Sequence, residues 1–273
     1  MRLFRGIIYA SILLSTTFCA NSEEPSSDSQ AELNLKILHI NDHHSHLAAN
    51  TEVNLELLGE NTEVEMGGFA RLTTKIRQLS ANTPHTLKLH AGDAITGTPF
   101  YALFEGEADA KLMNEICFDA FALGNHEFDL GEAALQKFLD HLNNGACDTQ
   151  TLAANVIPEV GTPLAPSYVN DYIKPYIIKE LGSDGLESDA LESDTLESDT
   201  PGSDEVEKYK VGIIGINTVT KTITSSNPSD TTIFLDEATT AQKYIDELEA
   251  QGINKIILMT HHQYANDLLL AEK

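Results

Sequence analysis

Short apolar runs alternate with amphipathic segments along most of the chain. Leu35–Ile40, Thr86–Leu89, Phe118–Ala122, Thr151–Val156 and Lys255–Met259 have the length and composition of buried strands. Between them the period changes. The stretch Met66–Ser80 carries Phe69, Leu72, Ile76 and Leu79 at helical spacing. Glu105–Ile116 sets Ala108, Leu112 and Ile116 four apart, and Gly131–Leu142 gathers Leu135, Phe138, Leu139 and Leu142 on one face. Asp236–Ala250 and Gln263–Glu272 read as further helices, and Tyr172–Lys179 and Tyr209–Ile216 as strands on either side of an insertion. This alternation predicts an α/β fold, a largely parallel sheet layered with helices on both faces. In such sheets ligands bind beyond the carboxyl ends of the strands.

Four of the strands end in polar clusters at that edge. Ile40 runs into "NDHHSH", Leu89 into "HAGD", Ala122 into "LGNHEFD" and Met259 into "THHQ". Of the ten histidines, eight (His39, His43, His44, His46, His90, His126, His261 and His262) lie in or beside these clusters, which scattered surface residues would not do. Singly, Asp42 could cap a turn, Asn125 could sit in one, and His261 could be a satisfied core residue. Together they point to one metal site. Asp42 and His44 are two apart on an extended strand end, so alternation would put both on one side. Asp93 follows a glycine that permits a tight turn, and its carboxylate can bridge two ions. Asn125 offers a neutral oxygen and His261 an imidazole. Such a mixed set suits divalent transition metals rather than calcium. Two ions about 3.5–4 Å apart can activate a water and stabilise an in-line displacement at phosphorus. His126 and Asp129 are three apart; if a helix begins near Glu127, the carboxylate can fix the imidazole tautomer and raise its basicity. That pair would support charge developing on phosphoryl oxygens.

Charge and composition narrow the partners. A net charge of −25 argues against a nucleic-acid-binding surface, which needs a basic footprint. It does not exclude a small anionic substrate, because bound ions supply local positive charge. Residues 183–207 hold ten acidic residues and no Lys or Arg, within them the repeat LESDA-LESDT-LESDT; leaving them out changes the net charge from −25 to −15. One Leu per repeat buries too little to offset chain entropy, so a disordered acidic loop is expected.

The N-terminus reads as an export signal. Arg2 and Arg5 precede the apolar Ile7–Leu14, which is too short to span a bilayer, and cleavage is expected near Cys19 or Ala20. This gives a signal peptide over 1–20 and a periplasmic or secreted protein. Lipoprotein anchoring at Cys19 fits less well because Phe18 precedes it. No other stretch is long and apolar enough to span a membrane. Cys117 and Cys147 then remain as an even pair, favouring a disulfide in an exported chain, with two buried thiols as the alternative. Their spacing matches no zinc motif.

The segments "ILHINDHHSH", "GGFARL", "HAGDAITGTPFYALFEGEADAKLMN", "FDAFALGNHEFDLG", "LAANV" and "ILMTHHQY" resemble the catalytic domain of the bacterial 5′-nucleotidase family, within the calcineurin-like metallophosphoesterases. The likeness runs from about Leu35 to the last residue, interrupted by the acidic insertion, so residues 33–273 read as one catalytic domain. The resemblance implies the calcineurin-like layered α/β fold and two divalent ions (Zn, Mn, Co or similar). It places Asp42 and His44 on one ion, Asp93 between the two, and Asn125 and His261 on the other. It makes His126, paired with Asp129, the group that stabilises the transition state. The implied activity is hydrolysis of nucleoside 5′-monophosphates or related nucleotides by metal-activated hydroxide. UDP-sugar hydrolysis, 2′,3′-cyclic-nucleotide phosphodiesterase action and thiosulfohydrolase-like sulfur-ester cleavage are alternatives within the superfamily. A catalytically impaired metal- or nucleotide-binding remnant is the alternative from another class. Such families carry a further G-x-[ST]-H segment and a C-terminal substrate-binding domain. Neither occurs in this sequence, which therefore reads as a domain incomplete at its C-terminus.

Because the acidic repeat is expected to pack against nothing, deletion of Gly185–Gly202 should leave the thermal midpoint and phosphatase activity close to those of the full chain; a large loss of either would show that the segment packs or binds.

Overall fold

In the computed structural model, residues 33–83, 85–182 and 209–273 are described. The export signal expected at 1–20, Cys19 with it, and the acidic loop expected at 183–207 lie outside the described residues. Strand β1 (Lys36–Ile40) is followed by a hairpin of β2 (Ala49–Leu57) and β3 (Glu60–Gly67), then helix α1 (Phe69–Ser80) and β4 (Thr86–His90). Helices α2 (Pro99–Phe104) and α3 (Glu107–Ile116) lead to β5 (Ala120–Ala122), a 3₁₀ turn over His126–Phe128, α4 (Glu132–Asn143) and β6 (Gln150–Leu152). Then come β7 (Val156–Ile157), β8 (Tyr176–Leu181), β9 (Tyr209–Ile216), α5 (Val219–Ser225) and β10 (Ile233–Phe234). The chain closes with α6 (Glu237–Ala250), β11 (Ile256–Thr260) and α7 (Tyr264–Ala271).

The parallel sheet expected from the alternation forms in the order β1-β4-β5-β6, with every pairing parallel. A second sheet runs β11-β9-β8, in which β9 and β11 are parallel and β8 is antiparallel. The two sheets meet where β6 and β9 approach closely. The Ala154 N–H donates to the Gly215 carbonyl at 2.7 Å. A Cβ at Gly215 would stand 2.5 Å from the Leu152 Cβ, so only glycine allows this approach. Helices α3 and α4 cover the first sheet through Met113, Ile116, Leu135, Phe138, Leu139 and Leu142, all buried against Phe121. Helix α6 covers the second through Ala241 and Leu248, packed with Ile214 and Ile216. Among the described residues no helix is long and apolar enough to cross a membrane.

Local chemistry explains where the elements depart from the periodic pattern. One helix was expected over Glu105–Ile116. The structure starts α3 at Glu107, because Glu105 and Gly106 take left-handed conformations (φ 49° and 87°) that end α2. Helix α2 itself begins with Pro99 in its first turn, capped by Thr98, whose hydroxyl accepts from the Phe100 N–H at 3.3 Å. The strand expected over Thr151–Val156 divides into β6 and β7, and β7 pairs antiparallel with β10. The β2–β3 hairpin was not anticipated. Its turn residues Leu58 and Gly59 both have positive φ (55° and 86°), the backbone a two-residue hairpin needs, but leucine is a weak turn signal.

Cys117 and Cys147 are joined in a disulfide that ties the end of α3 to the segment leading into β6. Closing a loop across a sequence separation of 30 restricts the unfolded chain by roughly 3–4 kcal/mol in the chain-entropy model. The Cys117→Ser/Cys147→Ser variant should lose stability of that order in denaturant unfolding. Titration of the denatured, unreduced protein should find neither sulfur reactive, and two reactive thiols would contradict the bond.

Candidate metal centre

The loops after β1, β4, β5 and β11 converge at the carboxyl edge of the sheets. Cross-loop backbone bonds hold them together. Beyond the β1–β4 ladder, Ala91 N–H donates to Ile40 O (2.8 Å), Asp42 N–H to Gly92 O (2.9 Å), His44 N–H to Asp93 O (3.1 Å) and Ser45 N–H to Ala94 O (2.9 Å). These bonds oppose backbone strain. Asp42, His44, Ser45 and Asp93 have φ of 53°, 46°, 51° and 54°, left-handed conformations that cost a non-glycine residue about 1 kcal/mol or more each. The extended strand end expected for Asp42 and His44 is therefore absent. The two side chains still meet, with His44 Nε2 3.5 Å from Asp42 Oδ1, because the turn brings them round rather than because they alternate.

Asp93 lies at the centre, 2% exposed. Its Oδ1 accepts the His126 N–H at 2.8 Å; its Oδ2 is 2.8 Å from His261 Nε2 and 3.8 Å from His44 Nε2. Burial works against its charged form, yet the bond and charge of His261 and the His126 N–H hold its pKa below the ordinary carboxylate value. Burial also works against the His261 cation, but the Asp93 carboxylate lifts the His261 pKa to about 9. His261 Nδ1 meets the Ala91 carbonyl at 2.7 Å, which fixes the tautomer with its proton on Nδ1 and leaves Nε2 as the ligating atom when the ring is neutral.

Two sets of side chains bring ligating atoms within 4.8 Å of one another: Asp42, Asp93 and His261, and His44, Asp93 and His126. Asp93 belongs to both. The resemblance grouped Asp42 with His44 and set His126 apart for the substrate. Here Asp42 lies beside both His44 (3.5 Å) and the Asp93–His261 pair, and the His44 and His126 rings meet edge to face at 4.9 Å. His126 Nδ1 is committed to Asp129 Oδ2 at 2.7 Å. Burial opposes the His126 cation, while Asp129 and Asp93 favour it and raise its pKa. Asp129 is itself held by Thr96 (3.3 Å) and Ser226 (2.9 Å). Asn125 is 2% exposed, and its Oδ1 is buried with no hydrogen-bond partner among the described residues. An orphaned amide oxygen beside this group fits a cation ligand, as does the mixed carboxylate–imidazole donor set.

Several positioning residues carried no metal-ligand signal in the sequence. Glu127 is 1% exposed, and its carboxylate accepts the N–H groups of Asp93 (2.9 Å), Ala94 (2.6 Å) and Gly124 (2.7 Å). Burial and the Asp93 charge push its pKa up to about 7 against the pull of those donors. Asn217, just past β9, donates to the carbonyls of Leu123 (3.1 Å) and Gly124 (2.9 Å), and its N–H is taken by Asn155 Oδ1 at 2.8 Å. Asn217 follows the same rule as the polar clusters, a polar residue at a strand's carboxyl end, and that rule could have found it. Gly92 and Gly124 face one another: a Cβ at Gly92 would lie 2.5 Å from Gly124 N, and one at Gly124 would lie 2.2 Å from Asp93 Oδ1.

Comparison with known proteins gives the site a family setting. The calcineurin-like phosphoesterase family profile matches residues 35–265. The NAD 5′-nucleotidase of Haemophilus influenzae is 38% identical over 261 residues, covering 96% of this chain and 37% of that relative. A probable 5′-nucleotidase of Treponema pallidum is 37% identical over 246 residues, covering 90% of this chain and 35% of that protein. The solved structure of the Haemophilus influenzae NAD nucleotidase is similar with a TM-score of 0.69 at 39% identity, over 87% of this chain and 36% of that one. The chain thus spans little more than a third of the length of these relatives.

Each buried N–H left without an acceptor costs about 1–3 kcal/mol. Glu127→Ala, which strands three of them, should lower the unfolding free energy by several kcal/mol, with Glu127→Gln in between. Denaturant unfolding checks this, and an Ala variant within error of wild type would show that water replaces the carboxylate at no cost.

Proposed function

Because the chain belongs to the calcineurin-like phosphoesterase family, we propose that it is the catalytic portion of an exported hydrolase that cleaves nucleoside 5′-monophosphates or related nucleotides with two divalent ions. The observation that carries this reading is Asp93, buried and shared by two clusters of ligating atoms, one of which takes in His126 beside Asp129. Asp42, His44 and Asp93 would hold one ion, and Asp93, Asn125 and His261 the other. When bound, such ions activate the attacking water and neutralise the phosphoryl oxygens. The chain's own residues do the rest. His126, kept in one tautomer by Asp129 and inclined to carry a proton, offers Nε2 to the phosphoryl group as negative charge builds. Thr96 and Ser226 hold Asp129 so that the pair keeps its orientation. The similarity to an NAD 5′-nucleotidase supports including dinucleotides with a pyrophosphate bond among the substrates.

Phosphate release from AMP with Mn²⁺ or Co²⁺ supplied tests the reading. Asp93→Ala should abolish activity and lower bound metal. His126→Ala should reduce turnover by about 10²–10³, the usual scale for loss of one transition-state donor, while retaining the ions. If His126→Ala strips the metal as completely as Asp93→Ala, His126 is a ligand rather than a substrate-facing group.

The pH dependence of metal binding follows from His261. Its pKa of about 9 means that a proton sits on the imidazole across the neutral range, and an ion must displace it from Nε2. The apparent Mn²⁺ affinity should therefore rise with pH up to about 9, with proton release on binding. Calorimetry in buffers of different ionisation enthalpy would reveal that release, and a pH-independent affinity would remove His261 from the ligand set.

A further inference from the structure

Three side chains with no part in the chemistry above lie in a line behind the β1 and β4 loops. Asp42 and His44 are 45% and 32% exposed at the side chain, while His43 between them is turned inward at 8%. His90, at the end of β4, and Asp109, on α3, are fully buried. The Gly92 N–H donates to His90 Nδ1 at 3.2 Å. A backbone N–H can only donate, so that nitrogen carries the lone pair and the His90 proton sits on Nε2. His90 Nε2 is 2.9 Å from His43 Nδ1, which makes His43 the acceptor there and puts its own proton on Nε2. His43 Nε2 in turn is 3.2 Å from Asp109 Oδ1. Donation therefore runs in one direction, from Gly92 through His90 and His43 to Asp109. Aromatic edges fix the rings: His43 meets Phe69 at 5.1 Å, and His90 meets Phe118 and Phe121 at 5.4 and 5.2 Å.

We propose that His43, His90 and Asp109 form a positioning relay that sets the spacing between the β1 loop, which carries Asp42 and His44, and the β4 loop, which carries Asp93. The inference rests on the dimetal reading above, but it assigns these three residues no contact with ion or substrate. One end of the relay grips the peptide of Gly92, next to Asp93. Its middle, His43, is the residue between Asp42 and His44, both of which are held left-handed at a cost. The other end is rooted in α3, whose neighbours Ala110 and Met113 are wholly buried. Without the relay the β1 loop can relax toward unstrained backbone, and the two ligand groups lose their mutual distance. Partners behind metal ligands typically change affinity by about 10–100-fold when removed.

The test uses the full chain and Mn²⁺ as the probe. Isothermal titration should show Asp109→Ala and His43→Phe each weakening Mn²⁺ binding at least about tenfold. Asp109→Asn, which keeps an acceptor for His43, should recover most of that loss. The double variant His43→Phe/Asp109→Ala should be little worse than either single one, because both break the same line. In wild type, nitrogen-15 shifts of the side chains should show His43 and His90 both as Nε2–H tautomers. Folded Asp109→Ala with wild-type affinity overturns the proposal, as does Asp109→Asn as weak as Asp109→Ala, or an Nδ1–H tautomer at either ring. Should His43→Phe fail to fold, the Asp109 pair and the tautomers still decide. A wild-type chain that binds no Mn²⁺ removes the dimetal function itself, an outcome distinct from wild-type-like variants, which remove the relay alone.

Discussion

The site depends on one buried carboxylate that belongs to neither cluster of ligating atoms. Glu127 gathers the N–H groups of Asp93, Ala94 and Gly124, and so binds the turn after β4 to the turn after β5. Both turns are irregular backbone in the interior, where a donor without an acceptor is costly. The carboxylate satisfies three of them together. The glycines at 92 and 124 make this possible, because a side chain at either would push the two turns apart. With that junction fixed, Asp93 has one oxygen on the His126 N–H and the other on His261, and elements far apart in sequence meet at one atom pair.

The strain around this junction has a physical logic. Asp42, His44 and Asp93 sit in backbone conformations that ordinary residues avoid. The β1–β4 hydrogen-bond ladder continues past the strands into the loops and holds them there. The candidate ligand side chains are thereby pre-set, and ions binding there would not need to order them. The same loops carry the His43–His90–Asp109 line beneath them. The ligand-bearing surface therefore rests on two buried polar supports, one centred on Glu127 and one ending at Asp109.

The electrostatics of the chain are consistent with cation binding. Net charge is strongly negative, and the centre itself collects Asp42, Asp93 and Asp129. The proton held on His261 partly offsets these carboxylates, and Asp129 and Asp93 favour one on His126. Divalent ions would do so more completely and would turn the pocket from one that repels a phosphate into one that attracts it.

The sequence alone determined the parallel α/β architecture, because a period of two against a period of 3.6 residues is a local property of the chain. It also determined the edge at which the site lies and most of the residues that meet there, since Asp42, His44, Asp93, Asn125, His126, Asp129 and His261 all follow apolar strands directly. The fold then decided what local pattern cannot carry. The left-handed turns at Asp42 and His44, the break before α3 and the hairpin turn at Leu58 arise where long-range hydrogen bonds and packing overrule the local preference for extended or helical backbone. Glu127, Asn217, His90 and Asp109 could not be assigned roles beforehand, because a buried polar residue is defined by its partners. Their hydrogen-bond partners lie 33 to 94 residues away along the chain, apart from Gly124 for Glu127, Gly92 for His90 and Thr222 for Asn217 close by. Which histidine reaches the candidate centre and which faces the core is likewise invisible in "NDHHSH". One step along that turn separates His43 from His44, and only tertiary packing assigns them to opposite tasks.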